Sequence, residues 1–540
     1  MNDKAYLALV LNAHMPFVRH PEFSRFLEER WLFEAISETY LPLLRLFRRL
    51  EGDGVPFRLT IALSPTLVAM LGDRLLGERY GSYLDAQLGL ADAEESRLRG
   101  DPDFGALARM YSELYREDKE DFSALYGGDI LSAFDYYYKK GRVELITSGA
   151  THAFLPLYRD QPEAVAAQVE TAIVAHRRVF GKHPAGFWLP QLGWYPGVGE
   201  LLKSYNVKYT IVTARGAALG EPTPRYGSFA PVQSPQGLTV FIRDLGATRA
   251  VWSESSGYPS DPAYRDFYRD IGFDLGLDYL GKYMEEAQGR AFTGFKYWAV
   301  TGRTDKKLPY DPAAAQAKAR EHAAHFLSER IATAAAAGAA MDQSPVMVCP
   351  YDAELFGHWW FEGPSFLEAL FREMAASGDR AGGGGGSERG LELVTLSEYE
   401  RSQSAAQAST PEYSSWGDGG YGEVWLDGSN DWIYRHANKA ADCMSELAER
   451  FPDESGLRER ILNQAARETL LAMCSDWALL MRAGKSSGFA RRQVEDAISN
   501  FNRIYEMLCA NTVSTEWLTR LEKRNNLFPA MNYRIFRRKR

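Results

Sequence analysis

Apolar residues along this chain fall into two alternating textures. Short runs at residues 6–11, 59–63, 143–147, 186–189, 209–212, 346–349 and 393–395 have the length and composition of buried strands. Between them lie longer stretches whose apolar positions recur at helical spacing. Strand followed by helix, repeated, predicts an α/β barrel with parallel strands, whose reacting groups belong at the strand C-terminal ends. From about residue 72 to 140 the text turns charged, Tyr-rich and helical, which predicts a helical subdomain inserted into the barrel. Residues 313–340 form an alanine-rich helix with high propensity and no chemistry. Strand signals stop near residue 410, and residues 430–521 keep the helical period. The chain therefore reads as a barrel over 1–400 and a helical C-terminal domain over 410–540.

Composition narrows the function classes. At 540 residues and 45% hydrophobic, the chain can bury more than one domain's core. Its net charge of −9 lacks the basic field that nucleic-acid binding needs. The terminal Arg534, Arg537, Arg538, Lys539 and Arg540 read as a solvated tail. No apolar run reaches the roughly 20 residues of a membrane span. Cys349, Cys443, Cys474 and Cys509 lie far apart without a CxxC pair, which fits a reducing cytoplasm. Five glycines at 382–386 precede no phosphate-loop Lys-Ser/Thr and read as a flexible loop. The informative excess is aromatic: with 12 Trp and 29 Tyr, the chain has many flat faces on which sugar rings could stack.

Four expected strand ends carry polar and aromatic side chains. LNAHMP at 11–16 places His14 at the barrel mouth, and GRVELITSGATHAFLPL at 141–157 adds His152 from a second strand end. FWLPQLGWYPG at 187–197 contributes Trp188, Gln191, Trp194 and Tyr195. PYDAELFGHWWFEGP at 350–364 contributes Asp352, Glu354, His358, Trp359 and Trp360. Together they predict a sugar-sized polar cleft with aromatic walls. Each Trp could equally fill the core, and each His could be structural. The two histidines form no ligand pair, and no Asp lies close in sequence to complete a metal set, so no metal is expected.

These segments, with SSWG at 414–417, GYGEVW at 420–425, SDW at 475–477 and FP at 528–529, resemble in order and spacing the motifs of glycoside hydrolase family 57 α-glucan branching enzymes across nearly the whole chain. The resemblance implies an incomplete (β/α)7 TIM-like barrel with a helical C-terminal domain. It also implies cofactor-free cleavage of an α-1,4 linkage and transfer of the segment to form an α-1,6 branch, with an α-1,4-glucan as the partner. Such retention uses two carboxyls about 5 to 5.5 Å apart. Asp352 resembles the acid/base, but the nucleophile position falls on Gln191. His14, His152, Trp188, Arg243, His358, Trp359, Trp360, Trp416, Trp425, Asp476 and Trp477 are the expected substrate-binding residues.

An amide is a poor nucleophile and carries no charge to stabilise an oxocarbenium-like transition state, so catalysis should be weak or absent. Further departures from the family pattern fall on Asn12, Thr213, Arg215, Gln233 and Ala299, the pattern of a lineage released from catalysis. Two nearby carboxylates could stand in. Glu354 reads more simply as a supporting carboxylate, and Asp244 as the partner of Arg243 or another strand-end cation. Three readings follow: a branching enzyme with a relocated carboxylate or a deamidated Gln191, a non-catalytic α-glucan-binding or regulatory protein, and a metal-dependent deacetylase on a related barrel.

Overall fold

The computed structural model describes residues 4–253, 255–281, 283, 290–381, 390–402 and 406–538. Its strands are β1 (Lys4–Ala13), β2 (Leu59–Leu63), β3 (Val143–Ser148), β4 (Gly186–Trp188), β5 (Tyr209–Val212), β6 (Val232–Gln233), β7 (Thr239–Ile242), β8 (Val346–Asp352), β9 (Gly390–Leu393) and β10 (Gln407–Ala408). They run in the order β10-β6-β7-β5-β4-β3-β2-β1-β8, with β9 also on β1. Every pairing is parallel except β6 on β7. A single parallel bridge from Arg243 to Val348 joins β7 to β8. The seven strands β7, β5, β4, β3, β2, β1 and β8 thus form a barrel whose last seam is closed by one contact, an incomplete (β/α)7 barrel.

Alternation along each strand sorts the core into two layers. Ala8 and Val10 of β1, Ile146 of β3, Trp188 of β4, Phe241 of β7 and Val348 of β8 pack together inside the barrel. Leu7, Leu9 and Leu11 of β1, with Met347 and Cys349 of β8, face the surrounding helices. The same phase carried to the strand tops turns Asn12, Asp352 and Arg243 inward, and β1 and β8 pair Asn12 directly with Asp352.

The insertion folds as helices Arg74–Arg97, Gly105–Lys119 and Ile130–Lys139, and the alanine-rich helix spans Pro312–Ala339. From Asp431 onward the chain is helical through Thr515–Arg524, and no helix of the described residues is long and apolar enough to cross a membrane. The strand expected at 393–395 is formed earlier, at Gly390–Leu393, because it pairs with Lys4 to Leu7 of β1. Arg534 departs from the solvated tail expected of it. It donates to Glu459 Oε1 at 3.1 Å and to the Glu454 carbonyl at 2.6 Å, anchoring the terminus to the helical layer. The glycine run at 382–386 lies outside the described residues.

Helix Glu29–Ala35 continues through a π-helical turn, Ile36–Tyr40, into helix Leu41–Gly52. The extra residue in such a turn re-aims side chains and is common beside functional sites. It turns Glu38 and Tyr40 toward the end of β8. Gly357 takes φ 120° where the β8 loop crosses this turn, and a Cβ there would stand 1.7 Å from the Glu38 carbonyl oxygen. Only glycine allows that approach.

Candidate active site

The strand tops, the loop around residues 414–425 and the first turn of helix Ser475–Ala483 enclose a cavity of about 1030 Å³. Asn12, His14, His152, Gln191, Arg243, Asp352, Glu354, His358, Trp359, Trp416, Trp425 and Asp476 line it.

Its most tightly coupled part joins three distant segments. His14 Nε2 lies 2.9 Å from Asp476 Oδ2, which also accepts from Cys474 Sγ at 3.0 Å. Burial acts to raise the Asp476 carboxyl, but its ion pair and hydrogen bond with His14 outweigh this and hold the group well below the usual carboxylate range. His152 stacks on His14 with ring centroids 3.7 Å apart and planes 12° from parallel. Burial pushes the His152 pKa well down, so the ring is neutral, and both of its nitrogens lack a protein partner. The stacked ring backs His14 from within the wall rather than opening its own nitrogens to the cavity.

The fold supplies the Asp that the sequence lacked nearby, bringing ligand atoms of His14, His152 and Asp476 within 4.8 Å of one another. The stack works against a shared ion. An ion between parallel rings, bonded to both at about 2.1 Å, would sit far out of each ring plane.

Gln191 follows β4 in a left-handed conformation, φ 60° and ψ 20°. Its Oε1 accepts from Trp416 Nε1 at 2.9 Å and its Nε2 donates to Ser475 Oγ at 3.2 Å. The Ser475 hydroxyl in turn donates to the His152 carbonyl at 2.6 Å. Trp416 Nε1 can only donate, and Ser475 has already given its proton away, so the amide has one satisfactory orientation. Gln191 thereby clasps the barrel, the 414–425 loop and the helical domain.

Asp352 Oδ1 accepts from Asn12 Nδ2 at 3.1 Å, and burial pushes its pKa up to about 6 against that bond. Glu354 Oε1 accepts from Tyr40 Oη at 2.5 Å and from the His14 amide at 3.2 Å. Burial raises Glu354 further, to about 8. Its role is to brace the main chain at His14. Asp244 does not pair with Arg243: it caps helix Leu245–Trp252 through Ala247 N at 2.6 Å and binds Arg330 Nη1 at 3.0 Å. The cation comes from the long alanine-rich helix, which the sequence did not bring near β7.

His358 Nδ1 meets Glu38 Oε2 at 2.6 Å. Burial would raise Glu38, yet the His358 charge holds it at about 2. Trp359 stands 49% exposed on the rim against Phe267, whose ring is 4.4 Å away. Trp425 lies deeper, stacked on Phe154 at 4.5 Å.

Five expected wall residues do not reach the cavity: Trp194, whose Nε1 donates to the Pro411 carbonyl at 2.8 Å, and Tyr195 are buried in the core, as are three further indoles. Trp188 takes the inward phase of β4 and fills the barrel interior. Trp360 packs on Phe356 and Phe366. Trp477 turns its Nε1 to the Leu471 carbonyl at 3.3 Å. Each of these three is at most 2% exposed, because it occupies the core-facing position of its strand, turn or helix. The other departures from the family pattern also lie away from the cavity. Thr213 caps helix Ala214–Ala218, Arg215 donates to Tyr421 Oη at 2.7 Å, Gln233 is exposed on β6, and Ala299 is buried near Arg265.

Sequence reasoning missed Trp31, Glu34, Trp252, Phe267, Tyr268 and Lys296 on the cavity wall, and Glu38 and Tyr40 behind it. These residues come from helices and irregular segments whose spacing carries no strand-end signal. Only the density of aromatics at 264–268 hinted at them.

The family model described as glycosyl hydrolase family 57 matches residues 8–411. The chain belongs to glycoside hydrolase family 57. A second model, the C-terminal part of 1,4-alpha-glucan branching enzyme, matches residues 436–536. The chain is 30% identical to the 1,4-alpha-glucan branching enzyme TK1436 of Thermococcus kodakarensis, over 97% of this chain and 77% of that protein. Among solved structures it resembles the alpha-amylase AmyC of Thermotoga maritima, with TM-score 0.91, 37% identity, and 99% and 100% of the two chains covered. The family 57 branching enzyme of Pyrococcus horikoshii matches with TM-score 0.87, 28% identity, and 99% and 97% coverage.

Proposed function

We propose that this protein binds α-1,4-glucan in the pocket of a branching enzyme but carries out the branching reaction weakly or not at all. Relatives named as branching enzymes, and a solved neighbour named as an α-amylase, point to an α-glucan substrate. The pocket has the fittings for one: the His14–Asp476 pair, with His152 stacked on His14, and indoles at Trp359, Trp416 and Trp425. The four cysteines are free, in keeping with a reducing cytoplasm.

The observation that carries the loss of chemistry is the Gln191 amide. Retention needs a carboxylate that attacks the anomeric carbon while Asp352 protonates the departing oxygen. Asp352 keeps a pKa suited to that acid role. Gln191 offers a neutral oxygen already bonded to Trp416 and a nitrogen bonded to Ser475. Losing a catalytic nucleophile costs on the order of 10⁴ to 10⁶ in rate. Of the two stand-ins weighed from sequence, Asp244 is tied to Arg330, and Glu354 Oε1 is taken by Tyr40 and His14.

Titration of the full-length protein with maltooligosaccharides should show binding. Incubation with amylose should leave the iodine colour unchanged and create no α-1,6 ends. New branch points would instead favour a working enzyme with a relocated carboxylate, and absence of any glucan binding would end the proposal.

A further inference from the structure

We propose that the cavity contains an anion subsite at Arg243, so that the protein prefers an α-glucan bearing a phosphate or similar small oxyanion over the plain glucan. The proposal rests on the glucan-binding reading above.

Arg243 is 8% exposed, follows β7 and lines the cavity. Its Nε donates to Thr248 Oγ1 at 2.9 Å, while the indoles of Trp252 and Trp416 lie 5.6 and 5.3 Å from its guanidinium carbon. These contacts fix the group without supplying a counter-charge. Among the described residues no carboxylate comes within 4.0 Å of it, and its terminal nitrogens donate to no protein atom. Nor are they sealed away: they are absent from the buried, unpartnered atoms and open on the cavity.

Two residues could have neutralised this cation. Asp244, its neighbour in the chain, is committed to Arg330. Gln191, bonded to the Trp416 ring that flanks the guanidinium, has no charge to offer. Burying a cation without a partner is costly, and burial accordingly pushes the Arg243 pKa down, with Tyr351 and Asp352 opposing at longer range. A guanidinium held flat with two free N–H edges matches an oxyanion in bidentate geometry. The indoles beside it would cover the sugar that carries the anion.

The test is calorimetric titration of the full-length protein with maltopentaose, maltopentaose 6-phosphate and inorganic phosphate. A charge-assisted pair predicts roughly tenfold to hundredfold tighter binding of the phosphorylated sugar. Arg243→Gln should bring the ratio of the two affinities to about one, and Arg243→Lys should keep part of it. Gln191→Glu, which restores a negative charge next to Trp416 without touching Arg243, should also shrink the ratio. Competition by inorganic phosphate would identify the free anion as a ligand of the subsite. Preference for the phosphorylated sugar without such competition would assign the anion to the glucan. Equal affinities in the parent, or a preference that survives Arg243→Gln, would overturn the subsite and leave glucan binding standing. Binding of phosphate with neither sugar would keep the subsite and overturn the glucan reading, and no binding at all would overturn both.

Discussion

The His14–His152–Asp476 wall and the strand tops bearing Gln191 and Asp352 line one cavity but are built differently. In the wall, an anion, an imidazole and a neutral buried imidazole support one another, and Asp476 is held ionised by its neighbours. At the other strand tops, an uncharged amide accompanies a carboxyl that burial pushes up to about 6. A sugar pocket needs donors and acceptors in place, whereas double displacement needs one particular anion. On the function proposed above, the Gln191 amide leaves the first need met, because it makes its own bonds to Trp416 and Ser475, and the second unmet.

Gln191→Glu is the sharpest way to break the contrast. Activity on amylose should rise by about 10³-fold or more if the amide alone silences the reaction. The new carboxylate would face the lone pairs of Ser475, whose proton must swing away from the His152 carbonyl, so a lower melting temperature should accompany the gain. No rise in amylose turnover would move the block to Asn12 or to another departure.

His152→Asn tests the binding wall. Asparagine tolerates the positive φ at this position, so the fold should hold while the ring stacked on His14 is lost. Maltopentaose affinity should fall by roughly 10- to 100-fold in titration, with amylose turnover still at background.

Glu354→Gln separates a carboxyl that burial has pushed up from Asp476, which its neighbours hold down. Below its ordinary value of 4.5, Glu354 is protonated in both the folded and the unfolded chain. From there to about 8 the folded chain keeps a proton that the unfolded chain releases, so the parent loses stability as pH rises through this window. The variant lacks that loss. Its melting temperature relative to the parent should climb between pH 5 and pH 9, by an amount equivalent to on the order of 1–3 kcal/mol. A flat difference across that range would remove the assignment of a raised Glu354.

Trp416→Phe is the mildest test. It keeps most of the ring but deletes the donor to Gln191, leaving a buried amide oxygen short of a partner. Glucan affinity should drop by about three- to tenfold, in line with one lost hydrogen bond. A larger loss would mean that the clasp holds the whole 414–425 loop in place.

Much of this protein was written locally. Alternation in β1 and β8 already aims Asn12 and Asp352 into the barrel, and strand-end placement brings His14, His152, Gln191 and Arg243 to its mouth. Family membership followed from motifs that keep their order along the chain. Partner choice was decided only in three dimensions. Asp476 reaches His14 across 462 residues, Arg330 rather than Arg243 takes Asp244, and Trp188, Trp360 and Trp477 face the core. The π-helical turn that aims Glu38 and Tyr40 has no local signature either. Periodicity reports the direction in which a side chain leaves its own strand or helix. What it meets there depends on the packing of other segments, and the energies of burial and charge pairing settle that only once the chain has folded.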